Sequence, residues 1–277
     1  MPTPSQIIAA HQAAIVQVRN YTTDYAALLW KAQSNFHDAD VANFTRRMVP
    51  AVQAAQVRTA SLTSSYMAQI EAAKSGAKVQ PVPVVRADIV GARGVDPVEV
   101  YTRPAVTVRT GLSKGLTYAQ SVTEGLTRLQ SLVSTDMQMA KVRQANSSMR
   151  RSKFQYYARV LTGSENCALC TIASTQRYKR GNLMPIHPGC DCGVEPLPKG
   201  VYSAQVIDQD LLDRTHQQIA DKVGVSDRSG RNLGIGKANA ADKPIADYTD
   251  LLVTHEHGEY GPTLSWRADN FTGPSDI

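Results

Sequence analysis

The chain has 277 residues, of which 42% are hydrophobic, and its 30 Lys and Arg against 24 Asp and Glu give a net charge of +6. This length and hydrophobic content exclude a disordered polymer and predict one or two globular domains. No run approaches the roughly 18 apolar residues of a membrane span, and the first ten residues lack the pattern of a secretory signal. We therefore expect a soluble protein made in the cytoplasm.

The first 77 residues predict a helical N-terminal region. Apolar residues such as Ile8, Ile15 and Leu29 recur near every third and fourth position, which is the period of a helix. Asp40 is a candidate N-cap for a second helix through Met48, and a third helical stretch from Val57 to Ile70 is expected to stop at Gly76. Pro50 either kinks this second segment or opens the next one.

Residues 78–113 differ in composition from the preceding helical region, because Pro81, Pro83, Pro97 and Pro104 interrupt short Val-rich runs. Proline removes a backbone donor and fixes φ, so the segment should resist helix formation. We expect a Pro/Val-rich linker, or an arm whose extended backbone docks on a neighbour.

Helical periodicity returns from Leu116 and continues through Ala140, with further apolar positions as far as Phe154 and Val160. This long helix is expected to lead directly into the first cysteine pair, so that residues 114–200 form one helical, cysteine-containing domain.

The C-terminal extension, 201–277, carries weaker signals. Residues 204–223 fit an amphipathic helix, and 226–242 are rich in Gly, Asn and Asp and predict a loop. The segment 251–266 predicts a pair of short strands around Gly261-Pro262. In a strand, His255 and His257 would share a face, which leaves a second metal site as a minor alternative.

All four cysteines fall within 26 residues, as Cys167, Cys170, Cys190 and Cys192, with His187 among them. Thiolate and imidazole are the ligands that Zn²⁺ prefers, and a Cys-x-x-Cys pair completed by a second cluster is the spacing of a structural zinc site. The motif therefore predicts one structural zinc ion.

Five candidates compete for four coordination positions. A turn at Pro188-Gly189 would pair His187 with Cys190, whereas an extended segment would place Cys190 and Cys192 on one face and allow an all-cysteine site. A third option pairs His187 with Cys192. Two disulfides, or a reduced cluster without metal, are the alternatives to zinc.

The positive charge is concentrated around these cysteines. Between residues 141 and 200, ten basic residues stand against three acidic ones, which indicates a footprint for a polyanion such as DNA or for an acidic protein. The alternative is a solvated face. The ten are Lys141, Arg143, Arg150, Arg151, Lys153, Arg159, Arg177, Lys179, Arg180 and Lys199.

The sequence does not match the ligand and base spacings of catalytic zinc sites. A zinc deaminase needs His-x-Glu before its cysteines, but here His257-Gly-Glu259 follows them. The spacing His255-Glu256-His257 is not the His-Glu-x-x-His of a zinc protease. A zinc-braced nuclease needs two histidines near the cysteine pair, and only His187 is near. We therefore expect no enzymatic activity.

The order of a basic helix, Cys167-Ala-Leu-Cys170, a basic and aromatic loop, and His187-Pro-Gly-Cys190-Asp-Cys192 resembles the C-terminal hallmark of phage Mu F-like (MuF) minor head proteins. That family usually has Arg between its last two cysteines, where this chain has Asp191. The resemblance covers about residues 114–200 and leaves the candidate metal ligands intact.

The resemblance implies a minor capsid protein of a tailed phage. Such proteins associate with the portal and inner capsid during head assembly, and some remain in the virion near the packaged double-stranded DNA and influence DNA ejection. The expected fold is α+β and predominantly α-helical, with a zinc-braced C-terminal module of short strands. The runner-up is a zinc-knuckle nucleic-acid-binding protein of the host, with the nuclease a more distant alternative.

Overall fold

The computed structural model describes residues 2–162, 166–180, 192–198, 200, 204–224, 252–257 and 261–266. They divide into two compact units. The helical unit comprises residues 2–153 with Arg180, and the cysteine unit comprises the other described residues. Helices dominate and the strands are short and antiparallel, which confirms the predicted α+β, predominantly α-helical class. Across the described residues, we find no helix with the length and apolar content to cross a membrane.

Five helices form the helical unit. They are α1 (Pro4–Lys31), α2 (Asp38–Ser75), α3 (Arg86–Val90), α4 (Pro97–Ser113) and α5 (Tyr118–Arg151). The helices α1 and α5 begin with capping boxes, in which Thr3 pairs with Gln6 and Thr117 with Gln120. The helix α2 ends at Gly76, whose φ of 69° is the left-handed cap conformation that glycine adopts without strain. The predicted helical region and its stop are confirmed.

The second predicted helix is longer than expected. It starts at Asp38, two residues before the proposed cap Asp40, and it continues through Pro50 without ending. Pro50 is exposed, so its ring faces solvent while Phe44, Met48 and Val52 are buried on the same helix. Burial of this face offsets the helix penalty of one proline.

The prediction of an extended arm at 78–113 is wrong for residues 97–113, which form α4. Pro97 occupies the first helical turn, where its missing N–H has no intrahelical acceptor, and the Asp96 side chain caps the helix by accepting from Val98 N at 2.8 Å. Pro104 lies inside the helix, at a penalty of about 3 kcal/mol. The buried residues Val100, Tyr101, Ala105 and Val108 pack into the core and offset it.

The core of the helical unit gathers residues from α1, α2, α4 and α5. Trp30 lies at its centre, with its indole ring 4.6 Å from the Phe36 ring and 5.7 Å from the Phe44 ring, and its Nε1 donates to Val122 O. Gly125 lets α5 approach this indole closely. Trp30, Phe36, Phe44 and Tyr101 are therefore buried where these helices meet.

The helix α5 ends at Arg151 and belongs to the helical unit, since it packs against α1, α2 and α4. The predicted boundary between 113 and 114 therefore falls inside one unit, and the chain divides after Lys153. The expectation that this helix leads directly into the cysteine pair is also wrong. A strand intervenes, because Tyr156 to Val160 is a run of β-branched and aromatic residues around Ala158 and Arg159.

The cysteine unit is built around a three-stranded antiparallel sheet of order β2-β1-β3. Its elements in chain order are β1 (Tyr156–Val160), α6 (Ala168–Ser174), β2 (Arg177–Lys179), β3 (Gly193–Leu197), α7 (Gln209–Val223), β4 (Leu252–His257) and β5 (Gly261–Trp266). The helix α7 and the paired strands β4 and β5 were predicted. Gly261 and Pro262 lie within β5, opposite His257 and Glu256, rather than in the expected turn. The predicted loop 226–242 lies outside the described residues.

Candidate metal centre

The Cys-x-x-Cys pair occupies the start of α6. Cys167 is the N-cap, with extended backbone angles, and its Sγ accepts a hydrogen bond from the backbone N of Cys170 at 3.4 Å. A sulfur that accepts from the chain two or three residues later is held so that both side chains of the pair lie on one turn. The sequence thus folds the pair into the compact arrangement that one metal ion requires.

The hairpin β4-β5 holds this turn in place. Cys167 forms a β-bridge with Val253, and Thr254 N donates to Asn166 O at 2.7 Å. The Thr171 and Thr254 hydroxyls are 3.1 Å apart and buried. The C-terminal extension therefore contacts the cysteine pair instead of forming a separate module.

The third placed cysteine, Cys192, directly precedes β3, which pairs along its whole length with β1. Cys170 and Cys192 are both buried, at 3% and 6% exposed. Two thiols that are 22 positions apart in sequence therefore lie inside the same small unit.

Tyr178 lies on β2. Burial raises the pKa of its phenol, the Arg159 guanidinium acts in the opposite direction, and negative charge on Cys192 and Cys170 raises the pKa further. The Tyr178 hydroxyl donates to Ala173 O at 2.8 Å, and the Arg159 guanidinium lies 5.2 Å from the ring centroid.

The structure places only some of the predicted ligand candidates. Cys167, Cys170 and Cys192 form no disulfide, whereas His187 and Cys190 lie outside the described residues. Among the residues that are described, no group of three or more His, Cys, Asp or Glu side chains is arranged to hold a metal ion. The donors that are placed nevertheless fit zinc chemically, because they are thiols around a Cys-x-x-Cys turn, with Cys167 half-buried and Cys170 and Cys192 buried.

The basic segment 141–200 is not one continuous surface. Lys141 and Arg159, at 5% and 7% exposed, are buried, and so is Tyr157 at 1%. Arg143 is exposed but donates to the backbone carbonyls of Asp88 and Ala92. The expectation that all ten cations form one footprint is therefore wrong for these buried side chains, because their alkyl stems and rings fill the interior.

One face of the β1-β2 pair keeps a basic and aromatic character. Arg177 lies over the Tyr156 ring, 4.4 Å from its centroid, and Lys179 is directly opposite Tyr156 in the register. Tyr156 and Arg177 are half-buried and Lys179 is exposed. A cation stacked on an accessible aromatic ring is a feature of surfaces that bind nucleic acids.

A buried polar cluster in the helical unit was not predicted. Asp136 accepts from Arg93 Nε and from the Tyr101 hydroxyl, each at 2.6 Å. Burial raises the pKa of Asp136, although both partners act to lower it. The signal was present in the sequence, since Asp136 stands in the apolar stripe that includes Val133 and Ala140.

Neither family models, nor curated proteins, nor solved structures match this chain. Its function is therefore argued from its own residues.

Proposed function

We propose that this chain is a MuF-like minor capsid protein of a tailed phage. It docks to the portal or the inner capsid during head morphogenesis and resides in the virion. Its role is structural rather than catalytic, and one zinc ion braces the cysteine unit. The observation that carries the proposal is the placement of Cys167, Cys170 and Cys192, three members of the hallmark motif, in a single small unit.

Four ligands drawn from Cys167, Cys170, His187, Cys190 and Cys192 would hold the zinc. When bound, zinc supplies a tetrahedral crosslink between the start of α6 and the segment before β3. One described apolar cluster of the cysteine unit contains Ala168, Ile219 and Leu252, with Ile172 and Trp266 packed against it. A small core of this kind gains most of its stability from such a crosslink.

A structural role also follows from the donors themselves. Five Cys and His candidates for four positions leave no obvious open site for water or substrate. Arg159, which lies over the Tyr178 ring, is a cation and cannot serve as a general base.

Co-purification with the phage's own proteins tests the proposal. The full-length chain should be coexpressed with the portal protein encoded beside it, and separately with the major capsid protein. We expect a complex with at least one of them that survives high salt. A chain that binds neither protein, and whose gene does not lie near those for portal and terminase, would overturn the assignment.

The face formed by Tyr156, Arg177 and Lys179 favours a second candidate, a zinc-knuckle protein that binds nucleic acid. It predicts that the isolated chain binds DNA in a salt-sensitive way. Replacing Lys179 with Ala should then reduce the salt slope by about one phosphate contact. Val98→Ala, an exposed change in the helical unit, is the control.

A further inference from the structure

A groove of about 480 Å³ runs between α1 and α2 in the helical unit. Its floor consists of small side chains from α2, Ala51, Ala54 and Ala55, and its wall on the α1 side carries the rings of Tyr21 and Tyr25. Small residues on one helix beside aromatic residues on the next leave a concave surface that the chain's own described side chains do not fill.

The wall of the groove is unusually apolar for an exposed surface. Tyr21 is 75% exposed, and Leu28, seven residues later on the same helical stripe, is 65% exposed. Large apolar side chains that remain in water next to an apolar groove mark sites of protein association. Both side chains contribute little to folding, so folding alone does not account for them.

Two arginines bracket the groove along α2. Arg58 lines one end, and Arg47 lies one turn before Ala51 on the same stripe, which reads Arg47, Ala51, Ala54, Arg58. Both arginines are exposed. They are eleven residues apart, or about three turns and 16 Å along the helix axis. The α2 side of the groove is therefore an apolar strip with a positive charge at each end, while α1 contributes the exposed Asp24 between Tyr21 and Leu28.

This charge pattern disfavours a twofold dimer centred on the groove. A twofold axis through the centre of the stripe would place Arg47 of one copy opposite Arg58 of the other, at both ends. Like charges in such register are unfavourable. The pattern instead complements a partner with negative charges at the same spacing.

We propose that the α1-α2 groove binds an amphipathic helix of a partner protein, with an apolar face and two acidic residues about eleven positions apart. Aliphatic side chains of that helix would lie over Ala51 and Ala54 and against Tyr21, and its carboxylates would meet Arg47 and Arg58. This is the helix-in-groove mode of recognition. It rests on the proposed docking function, for which it names the surface and the chemistry of the partner.

Synthetic peptides test the proposal with the full-length protein. The probe is a helical peptide of about 20 residues, with Leu along one face and Glu at two flanking positions eleven apart. The matched control peptide has Lys at those two positions. We expect titration calorimetry to give an affinity at least about tenfold higher for the Glu peptide.

Protein variants locate the binding and reverse its preference. Tyr21→Ala should weaken the Glu peptide about tenfold or more while leaving the thermal midpoint unchanged, since its ring is exposed. Val106→Ala, which trims an exposed apolar residue of α4, should leave binding unchanged. The double variant Arg47→Glu, Arg58→Glu should prefer the Lys peptide.

Equal affinity for the two peptides, no binding of either, or full binding by Tyr21→Ala would overturn the groove proposal. If the chain still co-purified with the portal protein in that case, docking would occur through another surface. Peptide binding together with failed co-purification would leave the groove and remove the phage assignment.

Discussion

Asp136 shows how a helical core accommodates a buried charge. Its two carboxylate oxygens each accept one short hydrogen bond, from Arg93 and from Tyr101, and Arg93 also donates to Leu132 O at 3.2 Å. The cluster joins α4 and α5 to the segment after α3. A buried charge that is fully hydrogen-bonded specifies how these segments meet, and each partner is expensive to remove.

Replacing Tyr101 with Phe should lower the free energy of unfolding by about 1.5–3 kcal/mol, because a buried carboxylate loses a charge-assisted hydrogen bond. Urea denaturation followed by helical circular dichroism measures the change. Tyr118→Phe is the matched control, since this half-exposed hydroxyl donates only a 3.4 Å bond to Ser34 O. Equal effects of the two substitutions would contradict the role of Asp136.

His11 is a second residue whose setting could not be foreseen from its neighbours in sequence. Its ring stacks on Tyr66 with centroids 4.1 Å apart, and Nε2 lies 3.3 Å from Thr63 Oγ1. Burial, and secondarily the charge of Lys141, lowers the pKa of His11 from 6.5 to about 3. The folded protein therefore holds this imidazole neutral.

This depressed pKa predicts acid destabilisation. Between pH 6.5 and about 3, the unfolded chain binds a proton at His11 that the folded chain does not. The contribution of His11 to the free energy of unfolding is therefore fully present above pH 6.5 and is lost as the pH drops through this window. His11→Phe keeps an aromatic ring beside Tyr66 and should flatten the pH dependence of unfolding there. The exposed His37, changed to Phe, is the control and should retain the wild-type slope.

Among the elements, α4 shows most clearly what the sequence could and could not predict. Periodicity correctly placed α1, α2, α5 and α7, because each carries an apolar stripe. In α4, Pro97 and Pro104 indicated a non-helical segment, although the apolar residues form a similar stripe. One of the prolines sits in the first turn, where it suits a helix, and the other is tolerated because its neighbours are buried, a tertiary effect that local propensity does not contain.

The close packing of α5 against Trp30 can be tested with a single substitution. A Cβ added at Gly125 would lie 2.5 Å from Trp30 Cζ2 and 2.7 Å from Val108 Cγ2. Gly125→Ala should therefore destabilise the protein by about 1–3 kcal/mol in urea denaturation, although alanine is the better helix former. The neighbouring exposed substitution Glu124→Ala should change stability by less than about 0.5 kcal/mol. A Gly125→Ala variant more stable than wild type would show that the helices are not packed this closely.

The sequence predicts candidate ligands for the metal centre but not the residues that surround them. Spacing alone indicates that Cys167 and Cys170 share a turn, since the chain reverses within two residues. The neighbouring Tyr178 and Arg159 come from β2 and β1, and their position depends on a strand register that no local pattern encodes. The stabilising contact of β4 with Cys167 is equally non-local.

At the scale of the whole molecule, the division between units follows packing rather than composition. The proline-rich segment looked like a linker, yet the chain divides after Lys153, where no proline or glycine stands. The helical unit has an aromatic core of its own, whereas the cysteine unit has a small core and the proposed zinc crosslink. The net charge of +6 suits association with acidic partners in either unit.

The proposed zinc crosslink underlies both the structural role proposed for the cysteine unit and the proposed MuF-like assignment. Elemental mass spectrometry of the full-length protein, purified without chelator, measures it directly. We predict about one zinc ion per chain, bound through deprotonated thiols. A folded protein that contains no zinc would contradict the account.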